Sequence, residues 1–292
     1  GVVQLLDGRV HQLGGGDDGD RAAFLPGIAA GTTIGTVALL ELGRRATWTA
    51  PRTAAAGEGD GWRLDGTKVH VADLAAAQIA FVTAASPDGV LGVYAVTTDA
   101  PGVTVTPTPT VDGTRKQATL TLDGAPGHRL GGSADATDAV AATVDRLSAA
   151  AVVDGVGAAA RALAMSVEYA KERRQFDAPV GSFQAVQHLC ADMLRAVELA
   201  RAAGYYACWA ADAASAAERH RAVTMALAFA ADELYTVGAS AIQVHAGIGF
   251  TWEHDIHLFY KRLLSLQDTG GGSIDQLEEL ASIVLDVPSR SD

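Results

Sequence analysis

An arginine, two glutamines and a phenylalanine crowd into one stretch of this chain, at Arg173, Gln175, Phe176 and Gln184. A guanidinium presents a planar fork of donors that matches phosphate oxygens in pairs, and carboxamides add neutral donors. The KERR run around Arg173 is equally the composition of a solvated helix end. A second cluster, Gln243-Val244-His245-Ala246-Gly247, sets an amide beside small residues, which let backbone come close to a ligand. A glycine just past the last turn of a helix reads the same way. Other spacings carry less. Gly155-Val156-Gly157 imitates a dinucleotide-binding turn, but that turn needs a strand before it and DAVAATVDRLSAAAVV reads as helix. Glu253, His254 and His257 stand at metal-like spacing, yet a structural role is the stronger reading and no metal ligand is assigned. The Asp17-Asp18-Asp20 cluster reads as a solvated loop. No Ser-His-Asp or Cys-His arrangement can be argued from order alone.

These residues need elements to hold them, and the chain changes character along its length. After a Gly- and Asp-rich segment over 1–30, residues 31–133 alternate short strand formers (VALL, WRLDG, AFVTAA, GVYAVTT, GVTVTP, ATLTLDG) with Gly, Pro and Asp turns. That spacing predicts an antiparallel sandwich or barrel. Over 134–292 proline nearly vanishes and alanine dominates. Phe183, Val186, Cys190, Met193 and Val197 recur every three or four residues, one buried stripe of a helix. A long helix before Arg173, one from Phe183, one from Ala217 and shorter ones beyond predict an antiparallel bundle. The fold class expected is α+β, a β-domain followed by a helical bundle.

The bulk numbers narrow the function. With 292 residues the chain has room for two cored domains. Its net charge of -12 argues against a nucleic-acid or membrane-surface role, both of which favour clustered Lys and Arg. No apolar run reads as long enough to span a bilayer, since Asp73, Asp145 and Asp154 break the candidates. Cys190 and Cys208 form no redox or metal motif; on one helix they would lie about 27 Å apart, so they read as free thiols in a reducing cytoplasm.

YAKERRQFDAPVGSFQAVQ, from Tyr169 to Gln187, together with IQVHAGIGFTWEHDIHLFYKR, from Ile242 to Arg262, resembles the C-terminal helical domain of the acyl-CoA dehydrogenases. The likeness extends over residues 22 to 285 and is weaker in the β half. In that family Arg173 would pair with the FAD pyrophosphate, Phe176 would pack near the adenine half, and Gln175, Gln184 and Gln243 would donate hydrogen bonds where Gly247 admits the cofactor. Ala246 stands in for a family glycine, a conservative loss. In family tetramers these contacts reach the flavin of a neighbouring subunit.

The elements that would serve the chain's own flavin are eroded. The family's Thr-Glu-Pro-Gly-Ala-Gly-Ser-Asp run becomes Leu40-Glu41-Leu42-Gly43-Arg44-Arg45-Ala46-Thr47, and its Trp-Ile-Thr strand becomes His70-Val71-Ala72. The family's catalytic glutamate falls on Gly270, and the alternative helix position falls on Leu147. No catalytic residue is therefore assigned, since abstracting the substrate α-proton needs a carboxylate. Where the family has an N-terminal helical domain, this sequence offers only the segment 1–30; either that domain is lost or it lies outside this sequence. The resemblance implies a degenerate-site subunit of the actinobacterial heterotetrameric acyl-CoA dehydrogenases of steroid side-chain degradation. Its partners would be a homologous subunit carrying the glutamate, an acyl-CoA and an electron-transfer flavoprotein. Two rivals stay open: a self-sufficient homo-oligomer using Asp145 or Glu253 as base, and a non-enzymatic structural subunit.

Overall fold

The computed structural model describes residues 18–43, 47–57, 61–132 and 134–285. The chain forms two compact units, Gly1–Val144 and Asp145–Asp292.

The first unit opens with helix α1 (Asp18–Ala29). Its acidic first turn suits the positive end of the helix, and this corrects the expectation of a solvated acidic loop. Asp20 is buried, accepting from Gly131 N at 2.8 Å and from His128 Nε2 at 2.6 Å. Asp17 lies outside the described residues. Seven strands follow: β1 (Gly35–Ala38), β2 (Ala54–Ala56), β3 (Trp62–Ala72), β4 (Ile79–Ala85), β5 (Leu91–Thr97), β6 (Val103–Thr108) and β7 (Gln117–Arg129). Pairing runs β4 to β5, β5 to β7, β7 to β3, β3 to β2 and β2 back to β4, which closes a small barrel. β1 is added along β4 and β6 along β7. The expected all-antiparallel pairing is modified at two places: β1 and β2 each run parallel to β4.

β4 and β5 are buried almost throughout, and their alternating side chains serve two cores. Ala80, Val82, Tyr94 and Val96 face the barrel core with Leu64 and Leu120. Phe81, Leu91 and Val93 pack with Ile28, Leu130, Ala136 and Val140. Ala136 immediately precedes α2 (Thr137–Glu172) and Val140 lies in its first turn; the compact units divide after Val144, inside that helix. A buried Lys–Glu ion pair sits inside the barrel unit. Lys68 Nζ donates to Glu41 Oε1 at 2.8 Å with Lys68 fully buried. Burial alone would raise the Glu41 carboxyl, but donors from Lys68, Arg52 N and Thr53 outweigh it and hold the group at about 2.

In the second unit α2 is followed by a two-stranded ribbon, β8 (Arg174–Gln175) and β9 (Ala178–Pro179). Then come α3 (Gln184–Ala213), α4 (Ala216–His245), α5 (Ile256–Gln267) and α6 (Ser273–Leu285). α4 starts on a cap: Ser215 accepts from Glu218 N, with glutamate three residues on. Small residues allow close helix approach. Ala196, Ala200, Ala226 and Ala230 are buried in the core with Met193, Leu227, Leu234 and Leu263. A Cβ at Gly155 would come within 2.6 Å of Leu266 Cδ2, so this glycine serves helix packing inside α2 and opens no dinucleotide turn.

By length and composition α2 and the helical run Ala216–Phe250 could each cross a membrane. This corrects the expectation that no segment reaches that length. Alanine supplies much of the hydropathy, and the apolar faces belong to the helical core.

Candidate functional site

The chain leaves α2 through a tight reversal. Arg173 N donates to Tyr169 O at 2.8 Å, and Val180 N donates back to Arg173 O at 2.7 Å. Between them Arg174 pairs with Pro179 and Gln175 with Ala178. The two turn residues, Phe176 and Asp177, both have positive φ, 52° and 64°. Such a mirror-image turn normally takes Asn or Gly. Aspartate tolerates it, whereas phenylalanine there is strained by about 1–3 kcal/mol. Arg174 Nη2 steadies the turn by donating to Asp177 O at 2.6 Å.

The strain has a visible product: Phe176 is 90% exposed, its ring edge-on to Phe183 with centroids 6.3 Å apart. Beside it Arg173 is exposed, and its guanidinium has no hydrogen bond or ion pair among the described residues. Gln184 is exposed as the first residue of α3, where helix amides also face outward. Gln175 is exposed too, but its Nε2 donates to Arg174 O at 2.8 Å. The structure thus brings Arg173, Phe176 and Gln184 to one reversal and ties Gln175 to backbone.

Gln243 is exposed on the last turn of α4. The residue that ends the helix is Ala246, at φ 52° and ψ -134°. That conformation belongs to glycine, so exchanging the family glycine for alanine is not conservative. The positive φ expected of a capping glycine falls on Ala246 and not on Gly247. Gly247 is exposed, and a Cβ there would meet nothing within 4 Å. The chain's own packing does not demand glycine at 247, while a ligand lying on the backbone would. Both segments belong to the second unit, and the rings of Tyr169 and His245 stack 4.7 Å apart between them. Neither ring featured in the sequence reading. The available signal was their placement, Tyr169 one helical turn before Arg173 and His245 inside the second cluster.

The positions where a base was sought offer none. Gly270 has φ 70°, and a Cβ there would lie 2.9 Å from Leu227 Cδ2 and 3.0 Å from Gln276 Nε2. Leu147 is half-buried on α2. Asp145 is buried with both oxygens engaged, Oδ2 by Arg219 Nε at 2.8 Å and Oδ1 by His220 Nδ1 at 2.9 Å. Glu253 is exposed. His254 and His257 do not join it in a ligand set among the described residues; His254 Nδ1 accepts from Ile256 N at 3.2 Å.

In the barrel unit Leu42 is 78% exposed and Arg44–Ala46 lie outside the described residues. His70 is exposed at φ 53° with Nδ1 against Gln117 Oε1, and Ala72 offers only backbone, its carbonyl accepting from Thr36 Oγ1. One unpartnered guanidinium, exposed carboxamides, an outward aromatic ring and an open glycine suit the adenine and pyrophosphate end of a dinucleotide. The residues at 40, 42 and 72 supply no side-chain donor for a flavin ring.

Comparison with known proteins gives the following. The family model described as acyl-CoA dehydrogenase, C-terminal domain, matches residues 138–285. Acyl-CoA dehydrogenase IpdE2 of Mycolicibacterium smegmatis is 33% identical over 262 residues, 90% of this chain and 75% of that protein. IpdE2 of Mycobacterium tuberculosis is 48% identical over 107 residues, and the match spans only 31% of its length. A solved structure described as the Tcur3481-Tcur3483 steroid ACAD aligns with a TM-score of 0.86 at 32% identity, covering 98% of this chain and 75% of that one. The ChsE4-ChsE5 complex from Mycobacterium tuberculosis aligns with a TM-score of 0.80 at 30% identity, covering 90% and 69%.

Proposed function

This chain belongs to the acyl-CoA dehydrogenase family, and from that premise we propose that it is a subunit of a hetero-oligomeric dehydrogenase that completes the FAD site of a homologous partner and supplies no catalytic base. The observation that carries this reading is a contrast within the second unit. Arg173, Phe176, Gln184, Gln243 and Gly247 stand exposed, while position 270 is a glycine at positive φ that carries no carboxylate and whose Cβ would press on Leu227 and Gln276. Random decay would not be expected to spare one set and remove the other.

FAD, the family's cofactor, accepts the two electrons of α,β-desaturation when bound. This chain's part is to hold it. Arg173 neutralises pyrophosphate charge with a forked donor set. Gln184 and Gln243 add neutral donors, Phe176 covers an aromatic face, and Gly247 keeps the backbone approachable. The carboxylate that takes the α-proton comes from the partner, which also shapes the acyl pocket. Against a base in this chain stand the full engagement of Asp145 and the exposure of Glu253. A steroid-derived acyl-CoA as substrate class, and a partner chain at all, are supported by the likeness to a steroid ACAD and to the ChsE4-ChsE5 complex. An electron-transfer flavoprotein as electron acceptor and a reducing, cytoplasmic setting complete the proposal; the free thiols Cys190 and Cys208 suit the latter.

The test is stoichiometric. Purified alone, the chain is expected to be nearly colourless. Co-produced with the glutamate-bearing partner, it is expected to give one FAD per pair of chains, with turnover that survives Asp145→Asn and Glu253→Gln in assembled complex. A full complement of one flavin per chain, or loss of turnover in either variant with FAD and assembly intact, overturns the proposal.

A further inference from the structure

The two arms of the proposed FAD site leave the ends of different helices, and one ring pair joins them. Tyr169 lies in the last turn of α2, four residues before Arg173. His245 is the last residue of α4, two after Gln243 and two before Gly247. Their rings stack at 4.7 Å with planes 28° apart. A third ring, His254, packs on His245 at 4.5 Å and is itself tied to the start of α5 through Ile256 N. His245 is 1% exposed, and its Nδ1 donates to Ala241 O, one turn back, at 2.8 Å. With Nδ1 as donor, Nε2 is left as an acceptor, and it is buried with no partner among the described residues. Burial, and secondarily the neighbouring His254, push this imidazole below its usual value, which keeps it neutral.

Packing alone does not account for this residue. Leucine or phenylalanine would fill the space without stranding a buried nitrogen, and such orphaned groups call for a reason. Histidine adds a ring whose plane is fixed by its own tether to Ala241. That tether lies immediately before Ala246, where the backbone turns out of the helix. A flat ring locked at this point orients the departing Gln243–Gly247 turn, and the stack transmits that orientation to the turn of helix that carries Arg173.

We infer that His245 is a positioning residue: clamped to Ala241 and stacked on Tyr169, it sets the spacing between Arg173 and the Gln243–Gly247 turn, and so how tightly FAD is held. The inference rests on the FAD-holding role proposed above. Donors delivered by two separate helices bind one ligand well only when held in mutual register, and small misplacements weaken them steeply.

The experiment uses the complex with the flavin-bearing partner, stripped of flavin and titrated with FAD by fluorescence. Variants are Arg173→Ala, Tyr169→Phe, Tyr169→Leu and His245→Leu; melting curves of the flavin-free complexes report folding separately. Tyr169→Phe keeps the ring and is expected to bind FAD as the unaltered complex does. Tyr169→Leu and His245→Leu keep apolar volume but lose the stack, and are expected to weaken FAD by about tenfold or more, with kcat recovered at saturating FAD. Tyr169 and His245 sit on different helices, so either leucine variant suffices if the other fails to fold. Normal FAD affinity in a folded leucine variant, alongside weakened binding in Arg173→Ala, overturns the positioning role and leaves the FAD reading standing. Normal affinity in Arg173→Ala as well overturns both.

Discussion

His220 and Asp145 face each other across the helical unit, Nδ1 to Oδ1 at 2.9 Å, and His220 Nε2 reaches Glu279 Oε1 at 3.2 Å on its other side. The imidazole bridges carboxylates from α2 and α6, and Arg219 holds the remaining Asp145 oxygen. The hydrogen bond to Asp145 is the largest influence on His220. Together with Glu279 it overcomes burial and raises the ring to about 9 from an ordinary value of 6.5. Both ring nitrogens therefore donate at neutral pH. A carboxylate held on both oxygens by two cationic partners is a structural anchor.

This network predicts a pH dependence. His220 is raised on folding, so its contribution is complete below about 6.5 and is lost as pH rises through about 9. His220→Gln should lower the melting temperature at pH 6 to 7 and converge on the unaltered chain by about pH 10. Solvent reaches the ring, so the effect at pH 7 should be about 1 kcal/mol, well below the full shift. Asp145→Asn, which strands two partners, should cost more, about 3 kcal/mol. Parallel denaturation curves for both variants across that pH range check the sign; a difference that grows with pH would refute it.

Relief of backbone strain separates stability from cofactor binding. Ala246→Gly removes a disfavoured φ and should stabilise the chain by about 1 kcal/mol after allowing for the freer unfolded glycine. Phe176→Gly should likewise raise stability while weakening FAD in the complex, because the ring it deletes is the one held outward. Thermal melts paired with flavin titration read the two effects separately. Equal or lower stability in Ala246→Gly would show that the turn is not strained.

Placing a glutamate at position 270 should not create a catalytic base. Gly270→Glu places a Cβ at φ 70° against Leu227 and Gln276, which should destabilise the chain by about 1–3 kcal/mol. Turnover by the isolated variant, supplied with FAD and acyl-CoA, should stay absent. Any desaturation above the unaltered chain would mean that the loop accommodates a base after all.

Arg173→Ala should weaken FAD retention in the complex about 10- to 150-fold, the usual effect of losing a charged hydrogen-bond partner. Arg173→Lys should recover only part of this, since ammonium lacks the fork. Spin-column retention of flavin, followed by a titration, gives both numbers.

Much of this was legible because period and composition report burial directly. The stripe from Phe183 to Val197 is real along α3: Met193 and Val197 are buried and Val186 and Cys190 half-buried, while Phe183 at its head is turned out beside Phe176. The helical reading of the stretch around Gly155 also stands, with that glycine packed against Leu266. What stayed hidden depends on contacts distant in sequence or on backbone state. The pairing of β1 alongside β4 joins Gly35 to Ile79, and no local pattern specifies it. Asp20 reads as surface until His128 and Gly131 arrive from the far end of the sheet. Ala246 differs from glycine by one methyl, and only its φ shows that the methyl is strained.

The closure of the barrel also bears on how this chain resists pairing with copies of itself. A strand that pairs on both sides offers no template to another molecule, and β3, β4, β5 and β7 are all so occupied. The outer margin of β6 is different: among the described residues that strand pairs only with β7. Pro107 sits there, opposite Ala118, and brings no N–H to a ladder. Its neighbours are threonines rather than a run of leucine or isoleucine. An incoming strand would find a short margin with a donor missing, a common protection against edge-to-edge aggregation. Replacing Pro107 with valine would repair that ladder and turn a quiet edge into a growing point for aggregates.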